Sequence, residues 1–225
     1  MLKLDPENIP FLYFSQTGED KMFLSYLETM SGYFVDVGAF DPIIYSNTFA
    51  LYLRGMRGIN IEPNPDAIEA FKSIRPLDIN LNLGVSKTAA ELEYYSFSQP
   101  TCNTFSPEFA KSVLRQDTNL VRRPTQKIQT NTLTQILDEH APKNQPFELL
   151  TIDVEGMDLE VLQTLDWERY RPHIVFVEDH TFNIESPQDS ITFQFMKSQK
   201  YTLVGKTIST LMFDETVRFE KRPKL

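Results

Sequence analysis

The sequence predicts an α/β fold built on a mostly parallel sheet. Three observations carry this. Strand-like apolar runs alternate along the chain with segments of helical spacing, the pattern of βαβ units. The runs Tyr33-Phe34-Val35-Asp36-Val37 and Phe147-Glu148-Leu149-Leu150-Thr151-Ile152 are apolar almost throughout, as strands buried on both faces are. The composition is that of a folded chain, with 225 residues, 41% hydrophobic and 24% charged, long enough to bury a core without staples.

The elements follow in order. Thr17-Gly18-Glu19-Asp20 reads as a helix start with an acidic first turn. Met22, Phe23, Tyr26, Leu27 and Met30 follow at helical spacing, and Gly32 ends the segment. Tyr33 to Val37 is a buried strand closed by Gly38. Ser46 or Asn47 caps a helix through Phe49, Leu51, Tyr52 and Leu53. Gly58 to Glu62 is a second strand. Asn64-Pro65-Asp66 places a cap and an N1 proline ahead of a stripe formed by Ala67, Ile68, Phe71 and Ile74. Leu77 to Val85 alternates as a third strand, and Glu91 to Phe97 as the next. Residues 98–127 hold Pro100, Pro107 and Pro124 and one helix from Ser106 to Arg115; they read as an insertion or lid. Leu133 to His140 is a helix, Phe147 to Ile152 a strand, and Leu159 to Leu165 a helix. His173 to Val177 is a strand ending in Glu178-Asp179-His180. Tyr201 to Phe219 offers two or three strands as an antiparallel finish. The whole chain reads as a single domain, residues 1–225, with a helical cap over residues 1–31.

The net charge of −9 argues against a nucleic-acid binder, which needs many phosphate-neutralising cations. Arg115, Arg122, Arg123 and Lys127 form a local basic run, read as a solvated face or a contact for an anionic glycan or lipid headgroup. The lone cysteine, Cys102, excludes an internal disulfide and any multi-cysteine metal knot. No apolar stretch has signal-peptide or membrane-span character, so the expectation is a cytoplasmic protein with no integral membrane segment.

Ligands of open α/β sheets sit beyond the carboxyl ends of the strands. Here those ends carry acids: Asp36, Glu62, and the pair Asp153 and Glu155. Gly38 and Glu62 are 24 residues apart, the spacing of a glycine turn followed by an acid that bonds ribose hydroxyls. The turn Gly38-Ala39-Phe40-Asp41-Pro42 has one glycine, however, and G-x-G-x-x-G is absent. A pyrophosphate needs those further glycines. The pattern therefore favours S-adenosyl-L-methionine over NAD or FAD, against the plainer reading of a tight turn and a solvated acid.

The blocks Phe34 to Pro42, Tyr45-Ser46-Asn47-Thr48, Gly58 to Pro65, Leu150 to Gly156 and Val177-Glu178-Asp179-His180 resemble the FkbM family of S-adenosylmethionine-dependent methyltransferases. Phe14-Ser15-Gln16-Thr17-Gly18-Glu19-Asp20-Lys21 resembles that family's Gln-x-Gly-x-Asp-Lys element. The resemblance implies a class I methyltransferase (Rossmann-like) fold, a seven-stranded, mostly parallel sheet with one antiparallel strand and helices on both faces. It implies O-methylation of sugar hydroxyls in glycans and glycolipids, or of macrolides. Two departures stand on the acceptor side: Phe40-Asp41-Pro42 replaces a common Asn-Asp-Gly, and Asp179 separates Glu178 from His180.

On this resemblance Gln16 and Asp20 form a flap over the cofactor, or Asp20 simply caps its helix, and Asp36 orients the cofactor's ammonium group. Gly38 admits it to the backbone, and Asn47 meets its carboxylate or caps the helix. Glu62 grips the ribose, with Pro63 and Asn64 beside it. Asn82 or Leu83 meets the adenine amino group, and Asp153 completes the set. Methyl transfer to an alcohol needs alignment and a base for the leaving proton. His180 is the expected base, imidazole being largely neutral near pH 7, with Glu178 and Asp153 beside it as further catalytic residues. No metal is expected; Asp153, Glu178 and Asp179 holding Mg²⁺ is the alternative. Tyr45, Tyr94, Tyr95, Phe105 and Trp167 are candidate sugar-facing aromatics, and Asn103-Thr104-Phe105 a candidate acceptor lid. The expected reaction is O-methylation of a sugar hydroxyl in a glycan, glycolipid or glycosylated metabolite. The partner is a small-molecule or glycan acceptor and no nucleic acid, and the oligomeric state is left open. The rivals are a macrolide O-methyltransferase and a non-catalytic nucleoside-binding module of a glycan-assembly complex.

Overall fold

The computed structural model describes residues 13–26 and 31–215. Ten strands and seven α-helices occur in the order α1 (Glu19–Tyr26), β1 (Tyr33–Val37), α2 (Phe49–Leu53), β2 (Arg57–Ile61), α3 (Pro65–Ile74), β3 (Ile79–Leu81), β4 (Gly84–Val85), β5 (Ala90–Tyr94), α4 (Pro107–Gln116), β6 (Gln126–Asn131), α5 (Leu133–His140), β7 (Phe147–Ile152), α6 (Asp158–Leu162), β8 (Ile174–Glu178), α7 (Ile191–Ser198), β9 (Tyr201–Lys206) and β10 (Thr210–Glu215). Leu27, Met30 and Phe219, which the sequence reading assigned to the first helix and the tail, lie outside the described residues.

Seven strands form one sheet in the order β3-β2-β1-β7-β8-β10-β9. Only β10 among them runs against its neighbours β8 and β9. Alternation along each central strand sends side chains to two cores. Val35, Val37, Ile59, Leu150, Ile152, Val175 and Val177 pack with Leu133, Ile136 and Leu137 of α5, Val161 and Leu162 of α6, and Phe193 and Met196 of α7. Phe34, Leu149, Ile174 and Phe176 pack on the other face with Phe23 of α1 and Leu51 of α2. Helices thus cover both faces, which is what lets a parallel sheet exclude water.

A second sheet, β4-β6-β5, stands beyond β3 in the chain. The expected single strand Leu77–Val85 is in fact two. The chain pairs with β2 only over Ile79–Leu81, then turns so that Gly84 and Val85 pair with Thr130 and Asn131. Leu77 precedes β3 in a turn and is 66% exposed. The helix α3 begins as expected, with Asn64 Oδ1 accepting the Asp66 N–H at 3.1 Å, but its stripe ends at Phe71 and leaves Ile74 40% exposed. Before α2 it is Ser46 Oγ that takes the free Phe49 N–H, at 3.1 Å; Asn47 points elsewhere. Ser106 caps α4 by accepting the Phe109 N–H, and Phe97, Ala110, Val113 and Leu120 give the 98–127 stretch a small core. β6 and α7 had no counterpart in the sequence reading.

Candidate active site

The carboxyl ends of β1, β2 and β7 open into a cavity of about 970 Å³, part of it continuous with solvent. The position is the switch point between β1 and β7, from which the strand order runs both ways.

Gly38 stands at this point with φ +79°, and a Cβ there would lie 1.8 Å from the Asp153 carbonyl oxygen. The neighbouring chain comes this close because the Asp153 N–H donates to Val37 O at 3.0 Å. The glycine is thus needed by the protein's own backbone as well as by the open floor of the cavity. Glu62 follows β2 and is buried. Its Oε2 accepts the Phe40 N–H at 2.9 Å and its Oε1 the Asn64 N–H at 2.7 Å. Each oxygen keeps a lone pair for a further donor.

Gln16, Asp36, Gly38 and Asn47 line the cavity, as do Glu62, Pro63, Asn64 and Asp153. Two of the expected cofactor residues, Asp20 and Asn82, are not among the lining. Asp20 is turned into its own loop, accepting the Phe14 N–H at 2.8 Å and Ser15 Oγ at 2.7 Å. Asn82 braces the loop behind Glu62, its Nδ2 donating to Glu62 O at 3.0 Å and Pro63 O at 2.8 Å. Asn47 donates Nδ2 to Thr151 Oγ1 at 3.0 Å, across the switch point.

Asp36 is held from behind by a buried network absent from the sequence reading. Thr48 Oγ1 donates to Asp36 Oδ2 at 2.6 Å, and Arg75 Nη2 donates to Thr48 Oγ1 at 3.0 Å. Arg75 in turn pairs with Asp78 at 2.8 Å, both side chains fully buried. Three non-glycine residues on the cavity wall adopt left-handed backbone: Phe40 (φ +57°), Tyr45 (φ +60°) and Glu155 (φ +54°). Such conformations persist where the surroundings over-determine them, commonly at functional sites.

The electrostatics are one-sided. Asp36, Glu62, Asp153 and Glu155 line the cavity, and none of its described lining residues is Lys, Arg or His. Burial pushes Asp36 up to about 6 and Glu62 up to about 7. Burial, with the Glu178 carboxylate as the next cause, pushes Glu155 up to about 8 and Asp153 well above the carboxylate range. Asp158, whose oxygens accept the Val154 N–H at 3.0 Å and the Gly156 N–H at 3.2 Å, is pushed by burial up to about 7. The folded chain therefore holds protons that the unfolded chain releases near pH 4. Stability of the ligand-free protein falls as pH rises from about 4 towards 8. A thermal midpoint lower at pH 8 than at pH 6 is expected, with a shallower fall in Glu155→Gln. An unchanged slope in that variant counts against the repulsion.

Glu178 and His180 are not among the lining residues but adjoin the cavity through Glu155. The carboxylate oxygens of Glu155 and Glu178 and a ring nitrogen of His180 all lie within 4.8 Å of one another. His180 Nε2 is 3.1 Å from Glu178 Oε2, with the imidazole 62% exposed and the carboxylate buried. Asp179, a member of the alternative Mg²⁺ set, faces away: its oxygens accept from Thr181 N–H, Thr181 Oγ1 and Ser190 Oγ.

Of the candidate aromatics, Tyr45, Tyr94 and Phe105 line the cavity with Asn103 and Thr104. Thr104 Oγ1 donates to Glu155 O at 2.8 Å, tying the 98–127 stretch to the loop after β7. The Phe105 ring lies on Gly84, where a Cβ would come within 2.4 Å of it. Trp167 is instead a core residue against Tyr201 and Phe195. Tyr95 lies under the Arg122 guanidinium, away from the cavity wall. None of Arg115, Arg122, Arg123 and Lys127 is among the lining residues.

A sequence model described as the methyltransferase FkbM domain matches residues 36–203. No curated protein matches the chain. The matched span runs from Asp36 into the first half of β9 and takes in every lining residue except Gln16. No helix among the described residues is long and apolar enough to cross a membrane.

Proposed function

The chain belongs to the FkbM methyltransferase family, and from that membership we propose an S-adenosyl-L-methionine-dependent O-methyltransferase of class I architecture acting on a sugar hydroxyl of a glycan, glycolipid or glycosylated metabolite. The observation that carries the cofactor is the acid lining of the cavity. Four carboxylic acids and no described cation line it. Such a wall offers a pyrophosphate no countercharge, while carboxyls that burial holds protonated ionise readily beside a sulfonium and an ammonium and accept from ribose hydroxyls. Bound, that cofactor supplies an electrophilic methyl group.

The chain's own residues supply position and proton transfer. Glu62, fixed by two backbone N–H groups, accepts from the ribose hydroxyls. Asp36, held by Thr48, and Asp153 face the positive groups, and Asn47 meets the carboxylate. At the acceptor end, pairing of His180 Nε2 with Glu178 leaves Nδ1 to take the hydroxyl proton, and Glu178 stabilises the imidazolium formed. Tyr45, half exposed on the cavity wall, offers a face to a sugar ring.

His180→Ala is expected to lower kcat about 100-fold, the usual scale of a lost general base, and to leave cofactor affinity unchanged. Full turnover in the variant removes His180 as the base. The acceptor class is tested by mass spectrometry of glycans from cells with and without the gene. A methyl group missing from a sugar is the expected result, and unchanged glycans with an altered small metabolite would move the assignment to the latter.

A further inference from the structure

The segment 13–26 brings Gln16 to the cavity wall, yet it lies outside the matched family span. Its attachment is specific. Glu19 is 3% exposed. Its Oε2 accepts the Thr17 N–H at 3.0 Å, and its Oε1 accepts from Thr207 Oγ1 at 2.6 Å and Thr210 Oγ1 at 3.2 Å. Burial alone would raise this carboxyl, but the hydrogen bonds from Thr17 and Thr207 outweigh it and hold the group below its ordinary value. Such bonds are charge-assisted and stronger than neutral ones.

Thr207 and Thr210 close the turn between β9 and β10, with the Thr207 N–H donating to Thr210 O at 2.9 Å. Thr210 stands opposite Glu178 in the sheet register, and Ser209 O accepts the Asp179 N–H at 2.9 Å. One turn, residues 207–210, therefore holds the N-terminal segment through Glu19 and the chain just after Glu178 through Ser209. Met22 packs against Gly205 of β9, and Tyr26 bonds to Asp214 of β10.

We propose that Glu19 is a positioning residue, fixing Gln16 against the bound cofactor and tying that end of the site to the turn beneath Glu178. The site is then completed by two pieces of chain outside the family span, the 13–26 segment and β10. This rests on the reading of the cavity as a cofactor site.

The test uses the whole chain, with calorimetric titration of S-adenosyl-L-methionine and amide hydrogen exchange of residues 13–18 without ligand. Glu19→Ala and Gln16→Ala are each expected to raise Kd about tenfold, the worth of one good hydrogen bond. Their combination should weaken binding no more than either alone, because both act through the same contact. Glu19→Gln is expected to restore affinity, since its amide oxygen can accept the Thr17 N–H while Nε2 donates to Thr207 Oγ1. Thr207→Val should loosen residues 13–18 as Glu19→Ala does, and it serves if the latter fails to fold. Additive effects, or a Glu19→Ala chain of lowered midpoint but unaltered Kd, overturn the proposal. Loosening of residues 13–18 in the variants as stated, together with a wild-type chain that binds no S-adenosyl-L-methionine, overturns the cofactor reading and supports the clamp.

Discussion

Gly38→Ala is expected to abolish cofactor binding chiefly by disrupting the fold around the site. The added methyl would stand 1.8 Å from the Asp153 carbonyl oxygen, on a residue with φ +79°. A left-handed alanine costs about 1–2 kcal/mol, and overpacking against a fixed neighbour about 1–3 kcal/mol more. The neighbour here is backbone, bound through its N–H to Val37 O, so relief requires β1 and β7 to part. These are the central strands of the sheet. A loss on the order of 4 kcal/mol should depress the thermal midpoint by roughly 10 °C in a domain of this size. Calorimetric unfolding measures it, and a midpoint within a degree or two of wild type would mean that the two strand ends are not packed as described.

Glu62→Ala carries the second large effect. Glu62 receives the Phe40 and Asn64 N–H groups, one on each oxygen, and it faces the cavity. Its removal frees the loops after β1 and β2 and deletes the proposed ribose acceptor. Two lost charge-assisted hydrogen bonds of about 1.5 kcal/mol each correspond to a cofactor Kd raised about 100-fold. Glu62→Gln is not a silent control. One of its two amide positions would present a donor to a backbone N–H donor, so a weaker loss of affinity is expected there too. Wild-type affinity in both variants would place the ribose elsewhere.

Much of the fold was legible because the relevant signals are local. β1, β7 and α5 appear with the bounds read from sequence. The strands are buried along their whole length, so apolar residues dominate them despite Asp36 in β1 and Glu148 and Thr151 in β7, and α5 starts at a capping box, Thr132 with Gln135. Gly38 and Glu62 were legible as lining of the cavity because strand ends in such sheets border the ligand crevice. Leu77–Val85 was misread because alternation reports a strand without reporting its partner, and the chain changes sheets after Leu81. β6 escaped notice because Gln126 to Asn131 is polar and mostly exposed over its first half. The Thr48–Arg75–Asp78 network behind Asp36 has no sequence signature, since arginine is ordinarily a surface residue and here is fully buried. Glu19 reads locally as a first-turn acid favouring a helix start; its contact with Thr207, 188 residues away, is a property of the folded sheet alone.

The most direct measurement is calorimetric titration of the wild-type chain with S-adenosyl-L-methionine and, separately, with NAD⁺. The acidic wall formed by Asp36, Glu62, Asp153 and Glu155 leads us to expect saturable binding of the sulfonium compound at one site per chain and no heat from the dinucleotide. Binding of NAD⁺ as tight as that of S-adenosyl-L-methionine, or silence with the latter, would show that the cavity was not built for a phosphate-free adenosine cation.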